Sequence, residues 1–168
     1  MQRLMKVSGL TIDPFTSVPI IILKDAEDRN ALPIWIGLLE ASSIATELEK
    51  ITLARPMTHD LVKNIFEQLD VAVEKIEVND LRENTFFATI HLAARGRSYR
   101  IDSRPSDAIA IALRMNAPIY VDDTVIEKSK RIDLAKKASE PADKAAETKR
   151  WAEILDNLSA EDLGRSRT

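Results

Sequence analysis

The stretch Thr85-Phe86-Phe87-Ala88-Thr89-Ile90-His91-Leu92 decides the fold class. Phe86, Ala88, Ile90 and Leu92 fall on one side of an extended chain, and Thr85, Phe87, Thr89 and His91 on the other. This two-residue period, rich in β-branched and aromatic side chains, predicts a half-buried strand. Downstream, Arg95-Gly96 signals a turn into residues 97–102, where Tyr99 and Ile101 share one face and Arg100 and Asp102 the other. Upstream, Asn79-Asp80 and Glu83-Asn84 bracket a turn. Before it, Val71, Val73, Ile76 and Val78 form another strand. Its parity changes at Glu74-Lys75, which marks a bulge. Together these strands predict an antiparallel meander.

A second meander precedes it. Val7 and Ile12 lie among polar residues at 5–12, followed by a turn at Asp13-Pro14 and Thr16-Ser17. Residues 18–23 are a β-branched apolar run, and residues 32–36 another, with Pro33 tolerable only near a strand start or on an edge. Helical spacing then appears three times. Ala41, Ile44, Ala45, Leu48 and Ile51 predict a helix over 38–51, with Glu40, Ser43 and Glu47 beside the apolar stripe. Leu61, Val62, Ile65, Phe66 and Leu69 predict one that Thr58 caps. Pro105 opens the third, whose stripe runs through Ala108, Ile109, Ala112, Leu113 and Met115 until Asn116-Ala117-Pro118. Residues 119–121 form a last short strand. The expected architecture is α/β: a mixed, largely antiparallel sheet of two β-meanders with packed helices.

The composition shifts near residue 128. Residues 128–147 are rich in Lys, Ala, Glu and Asp and read as an exposed helix or linker. Trp151, Ile154, Leu155 and Leu158 then predict a short amphipathic tail helix. We expect a main domain over 1–128 and an appendage over 129–168.

Composition removes several chemistries. With no cysteine among 168 residues there are no disulfides, thiolate zinc sites or Cys nucleophiles. Two histidines cannot build a three-histidine zinc site, and four glycines leave little room for a glycine-rich phosphate loop. The net charge of −3 weighs against nonspecific coating of nucleic acid. The start of the chain lacks a signal-peptide core, and no apolar run is long enough to cross a bilayer. We expect a soluble, cytoplasmic protein with no membrane role.

The remaining chemical vocabulary gathers at two helix starts. Arg55-Pro56-Met57-Thr58-His59-Asp60 and Arg104-Pro105-Ser106-Asp107 share a grammar of Arg-Pro, hydroxyl and Asp. Free N–H groups and the helix dipole make such ends natural anion sites, and an arginine adds a bidentate phosphate fork. Arg55, Thr58, Arg104 and Ser106 are therefore the candidate substrate-binding residues. Asp60, Asp107 and Glu40 could hold Mg²⁺ or Mn²⁺ to orient water for phosphodiester attack. His59 lies where the helix field favours a neutral, base-competent imidazole, so His59, Asp60 and Asp107 are the catalytic candidates. The plainer alternative is a pair of capped helix starts, with Arg55 bonded to Asp60. His91 reads as structural, and Trp35 and Trp151 as packing residues.

Residues 32–37 (Leu-Pro-Ile-Trp-Ile-Gly), Glu40-Ala41, the two Arg-Pro motifs and residues 117–121 (Ala-Pro-Ile-Tyr-Val) together resemble the bifunctional nuclease family of bacteria and plants. The resemblance covers about residues 5–128. It implies nuclease action on DNA and RNA and marks Glu40, Arg55, Thr58, His59, Asp60, Arg104, Ser106 and Asp107. Leu38 stands where many relatives carry an acid. The expected function is a metal-assisted phosphodiesterase acting nonspecifically on nucleic acid. Two other readings are a non-catalytic anion- or nucleotide-binding regulatory module and a homo-oligomeric scaffold. A homodimer is the expected assembly.

Overall fold

The computed structural model describes residues 1–137, with side chains described through residue 130. The amphipathic segment around Trp151, Ile154, Leu155 and Leu158, and most of the charged linker, lie outside the described residues.

The first meander is β1 (Gln2–Ile12), β2 (Pro19–Asp25) and β3 (Ala31–Trp35). The second is β4 (Ala72–Arg82), β5 (Thr85–Ala94) and β6 (Arg97–Ser103). Between the meanders come α1 (Leu38–Leu48) and α2 (Thr58–Gln68), and after them α3 (Pro105–Met115), β7 (Ile119–Asp122) and α4 (Asp123–Lys137). The strands form a single sheet in the order β3-β2-β1-β7-β4-β5-β6. Four-residue β7 joins the two meanders, antiparallel to β1 and parallel to β4. The sheet is mixed and largely antiparallel, as the alternation predicts. The central place of the last and shortest strand has no local signal.

Register explains the core. Met5, Ile119, Ile76, Ile90 and Ile101 lie opposite one another in a row from β1 to β6. The first four are buried, together with Ile44 of α1, Ile109 of α3 and Val125 of α4. The opposite face carries a polar row of Tyr120, Glu77, Thr89 and Asp102. There Glu77 accepts from His91 Nε2 at 2.9 Å, so His91 is tied into the sheet as a structural residue.

Several local expectations change. The bulge between Val73 and Lys75 is present, and a second irregularity falls between Val78 and Asp80. The strand therefore runs on through Asn79-Asp80, and the turn is Glu83-Asn84 alone, both with positive φ. A two-residue turn of that kind matches the right-handed twist of its strands. Helix α1 ends at Leu48 rather than continuing to Ile51. Lys50 turns left-handed with φ 53°, and Ile51 N–H donates to the Thr46 carbonyl at 2.9 Å. Helix α4 crosses position 128, where the composition shifts, and buries Val125, Ile126 and Ser129.

Candidate functional site

Both Arg-Pro motifs open helices, and the two openings meet. His59 in the first turn of α2 places Nε2 3.0 Å from Asp107 Oδ1 in the first turn of α3. On its other side, His59 Nδ1 lies 2.8 Å from Ser43 Oγ, which is only 1% exposed on α1. An ionised carboxylate can only accept, so Nε2 carries a proton. In the neutral ring Nδ1 then accepts from the Ser43 hydroxyl.

Asp107 is held from outside by Arg104, the residue before α3. Arg104 Nε reaches Oδ2 at 2.7 Å and Nη2 reaches Oδ1 at 3.1 Å, a bidentate fork. Its Nη1 pairs with Glu40 Oε1 at 2.8 Å. The Arg104 side chain remains 64% exposed, so this end of the network faces solvent. Burial pushes the Asp107 carboxyl up, but Arg104 and His59 outweigh it and hold the group below the usual carboxylate range. One continuous line thus runs from solvent inward: Glu40 and Arg104, then Asp107, His59 and Ser43.

A second line fixes Asp60. Its Oδ1 accepts from Arg114 Nε at 2.6 Å, and its Oδ2 accepts from Met57 N–H at 2.9 Å. Burial raises the Asp60 carboxyl, but the Arg114 and Met57 bonds bring it below its ordinary value. The Arg114 side chain is 2% exposed; its Nη2 donates to the Ser43 carbonyl at 3.0 Å and its Nη1 to the Ala110 carbonyl at 3.1 Å. Ser43 therefore joins both lines, through its hydroxyl to His59 and its carbonyl to Arg114.

The motif residues sit in different settings. Thr58 is the exposed first residue of α2, and the capping position is Met57. Asp60 takes over the capping work by folding back to the Met57 N–H, so Thr58 is not needed as a cap. Arg55 does not pair with Asp60, because Arg114 already occupies that carboxylate. Arg55 is exposed and makes no hydrogen bond or ion pair among the described residues. Ser106 is buried, so its hydroxyl does not meet a substrate at the surface.

The carboxylates expected to bind metal do not fit a metal centre in this arrangement. Glu40 and Asp107 are bridged by Arg104, and Asp60 turns to Arg114 and the Met57 amide. Among the described residues, no group of three or more His, Asp or Glu side chains is placed to hold a metal ion. A divalent cation would first have to displace a guanidinium that already neutralises the same oxygens.

Ser43 and Arg114 are the participants that sequence reasoning misses. Arg114 did leave a signal. It is the one charged residue after Asp107 in a helix of otherwise apolar side chains, and a buried charge requires a partner. Ser43 carries no comparable mark, since a small polar residue on a helix is ordinary.

The sequence has known relatives. The sequence model of the bifunctional nuclease domain matches residues 21–133, a span that contains every residue of both lines. The chain belongs to the bifunctional nuclease domain family. An uncharacterised protein of Mycobacterium tuberculosis (strain H37Rv) is 32% identical over 95% of this chain and 96% of its own length. Bifunctional nuclease 1 of Oryza sativa subsp. japonica is 32% identical over 61% of this chain and 32% of its own length. Bifunctional nuclease 1 of Arabidopsis thaliana is 32% identical over 62% of this chain and 33% of its own. This family member thus spans about a third of the plant proteins it resembles. No helix among its described residues is long and apolar enough to cross a membrane.

Proposed function

We propose that this chain is a cytoplasmic nuclease that hydrolyses phosphodiester bonds in DNA or RNA where the starts of α2 and α3 meet. The observation that carries the reading is the His59 imidazole, fixed between Ser43 and Asp107 beside the exposed Arg104. The family and the plant proteins named as bifunctional nucleases support the same chemistry.

Arg55 and the outer edge of Arg104 receive the phosphate, helped by the free N–H groups of two helix starts. Water attacks phosphorus as the P–O bond to the leaving oxygen breaks. His59 acts in the tautomer that carries its hydrogen on Nδ1, donated to Ser43 Oγ; its Nε2 lone pair takes the proton from the attacking water and gives it to that leaving oxygen. Proton exchange uses Nε2, because Nδ1 faces the buried Ser43. Releasing Nε2 leaves Asp107 in its bidentate fork with Arg104, so one hydrogen bond is lost while the carboxylate stays paired.

The test is cleavage of plasmid DNA and of single-stranded RNA, in Mg²⁺, Mn²⁺ and EDTA buffers, by wild type and His59→Ala. A general acid–base group contributes about 10²–10⁴-fold, so His59→Ala should lose activity on that scale. Equal cleavage by both proteins would show a contaminant and remove the assignment.

One observation favours a second reading: both ring nitrogens of His59 are already occupied, and the motif carboxylates are mutually paired with arginines. On that reading the network is a clasp joining α1, α2 and α3 in a regulatory or scaffolding module. The wild type would then cleave neither substrate, and His59→Ala would change only stability.

A further inference from the structure

The two edges of the sheet are built differently. Edge strand β3 carries Pro33 in its middle, which has no N–H to offer another strand, and its Leu32 and Ile34 are buried. Edge strand β6 has no proline, and six of its seven residues are exposed. Helix α3 packs on β4 and β5, and the core-side residues of β6 stay open, with Tyr99 at 44% and Ile101 at 46% exposure. Ile101 ends the row whose members Met5, Ile119, Ile76 and Ile90 are all buried. On the other face of β6, Arg100 and Asp102 are exposed and make no hydrogen bond or ion pair among the described residues.

The hairpin fixes which backbone groups are free. Arg95 and Gly96 both have positive φ, and Ala94 lies opposite Arg97. A two-residue turn of this kind makes its flanking residues a hydrogen-bonded pair, and the pattern alternates along the strand. Residues 97, 99, 101 and 103 therefore bond toward β5. The N–H and C=O groups of Ser98, Arg100 and Asp102 point outward, a ready template for another strand.

We propose that two copies of this chain pair antiparallel along β6 about a two-fold axis at Ile101. In that register Arg100 of each copy lies opposite Asp102 of the other, so two opposite-charge pairs form at hydrogen-bonded positions. Ile101 meets Ile101 at the non-hydrogen-bonded position on the core side, which extends the buried row across the axis. Tyr99 falls opposite Ser103. Centring the axis on Arg100 would set two guanidinium groups face to face, so charge selects the Ile101 register. A continuous sheet results, with the helices of both copies on the same face. Strand geometry then separates the two Arg104 residues by about 20 Å, so both proposed phosphate sites lie on one surface.

The full chain contains no cysteine, which makes a thiol test direct. Ile101→Cys should oxidise to a covalent dimer, because paired non-hydrogen-bonded residues sit within disulfide reach. Arg100→Cys should not, since its two copies lie two residues out of register. Sedimentation should show a wild-type dimer whose dissociation constant rises about tenfold or more in Arg100→Asp. The double exchange Arg100→Asp/Asp102→Arg should restore it. A wild type that stays monomeric at its highest soluble concentration would overturn the proposal. So would cross-linking through Cys at 100 but not at 101, or a double exchange no tighter than the single one.

Discussion

The starts of α2 and α3 use the same local grammar and do different work. At α3, Arg104 grips the Asp107 of its own motif and reaches Glu40, so the arginine is part of the network. At α2, Arg55 has no such partner among the described residues, and the motif's Asp60 is taken by Arg114 from another helix. The hydroxyls differ as well: Thr58 is exposed and Ser106 is buried. A shared motif fixes where a helix begins. What each side chain then touches depends on the neighbour that packs against that end.

The sharpest way to break this contrast is to remove the arginine that only the fold supplies. Arg114→Ala leaves Asp60 and the Ser43 carbonyl without their buried donor. Removing one partner from a buried ion pair costs about 3–5 kcal/mol, which urea unfolding would register. A loss below about 1 kcal/mol would mean that α2 does not depend on α3 in this way.

Acid should test both ends together. Asp60 and Asp107 titrate below their unfolded values, so the stability they contribute is complete at neutral pH. It is lost as pH falls through the depressed folded-state values, below about pH 4. The urea midpoint should therefore drop through that range, and Asp107→Asn should flatten part of the fall. An unchanged acid profile in that variant would place the effect elsewhere.

Smaller effects separate the two Arg-Pro arginines. Arg104→Ala should cost about 1 kcal/mol or less in stability, since its pairs lie at the exposed edge, while cleavage falls because Asp107 loses its outer hold. Arg55→Ala should stay within about 0.5 kcal/mol of wild type. Its effect should appear in nucleic-acid binding, as a salt dependence shallower by about one phosphate contact. Equal salt slopes would remove Arg55 from the phosphate site.

Much of the architecture was legible because it is periodic. The alternation around Ile90 and the stripes beginning at Ala41, Leu61 and Ala108 all became the strands and helices they predict. The differences between pattern and fold are local and have causes. The pattern predicts Thr58 as the cap of α2; Met57 holds that position, and Asp60 folds back to accept its N–H. The sequence marks Glu40, Asp60 and Asp107 as candidate metal donors, and in the fold each is paired with an arginine.

By itself, the sequence determined the two meanders, the helix starts and the dense chemistry at those starts, because each is set within a few residues along the chain. Only the tertiary structure decided that β7 would join the meanders and that His59 would lie between Ser43 and Asp107. Those pairings span 16 and 48 positions along the chain. No local pattern encodes them; they exist because α1 and α3 pack side by side over one sheet and bring distant residues within hydrogen-bond reach.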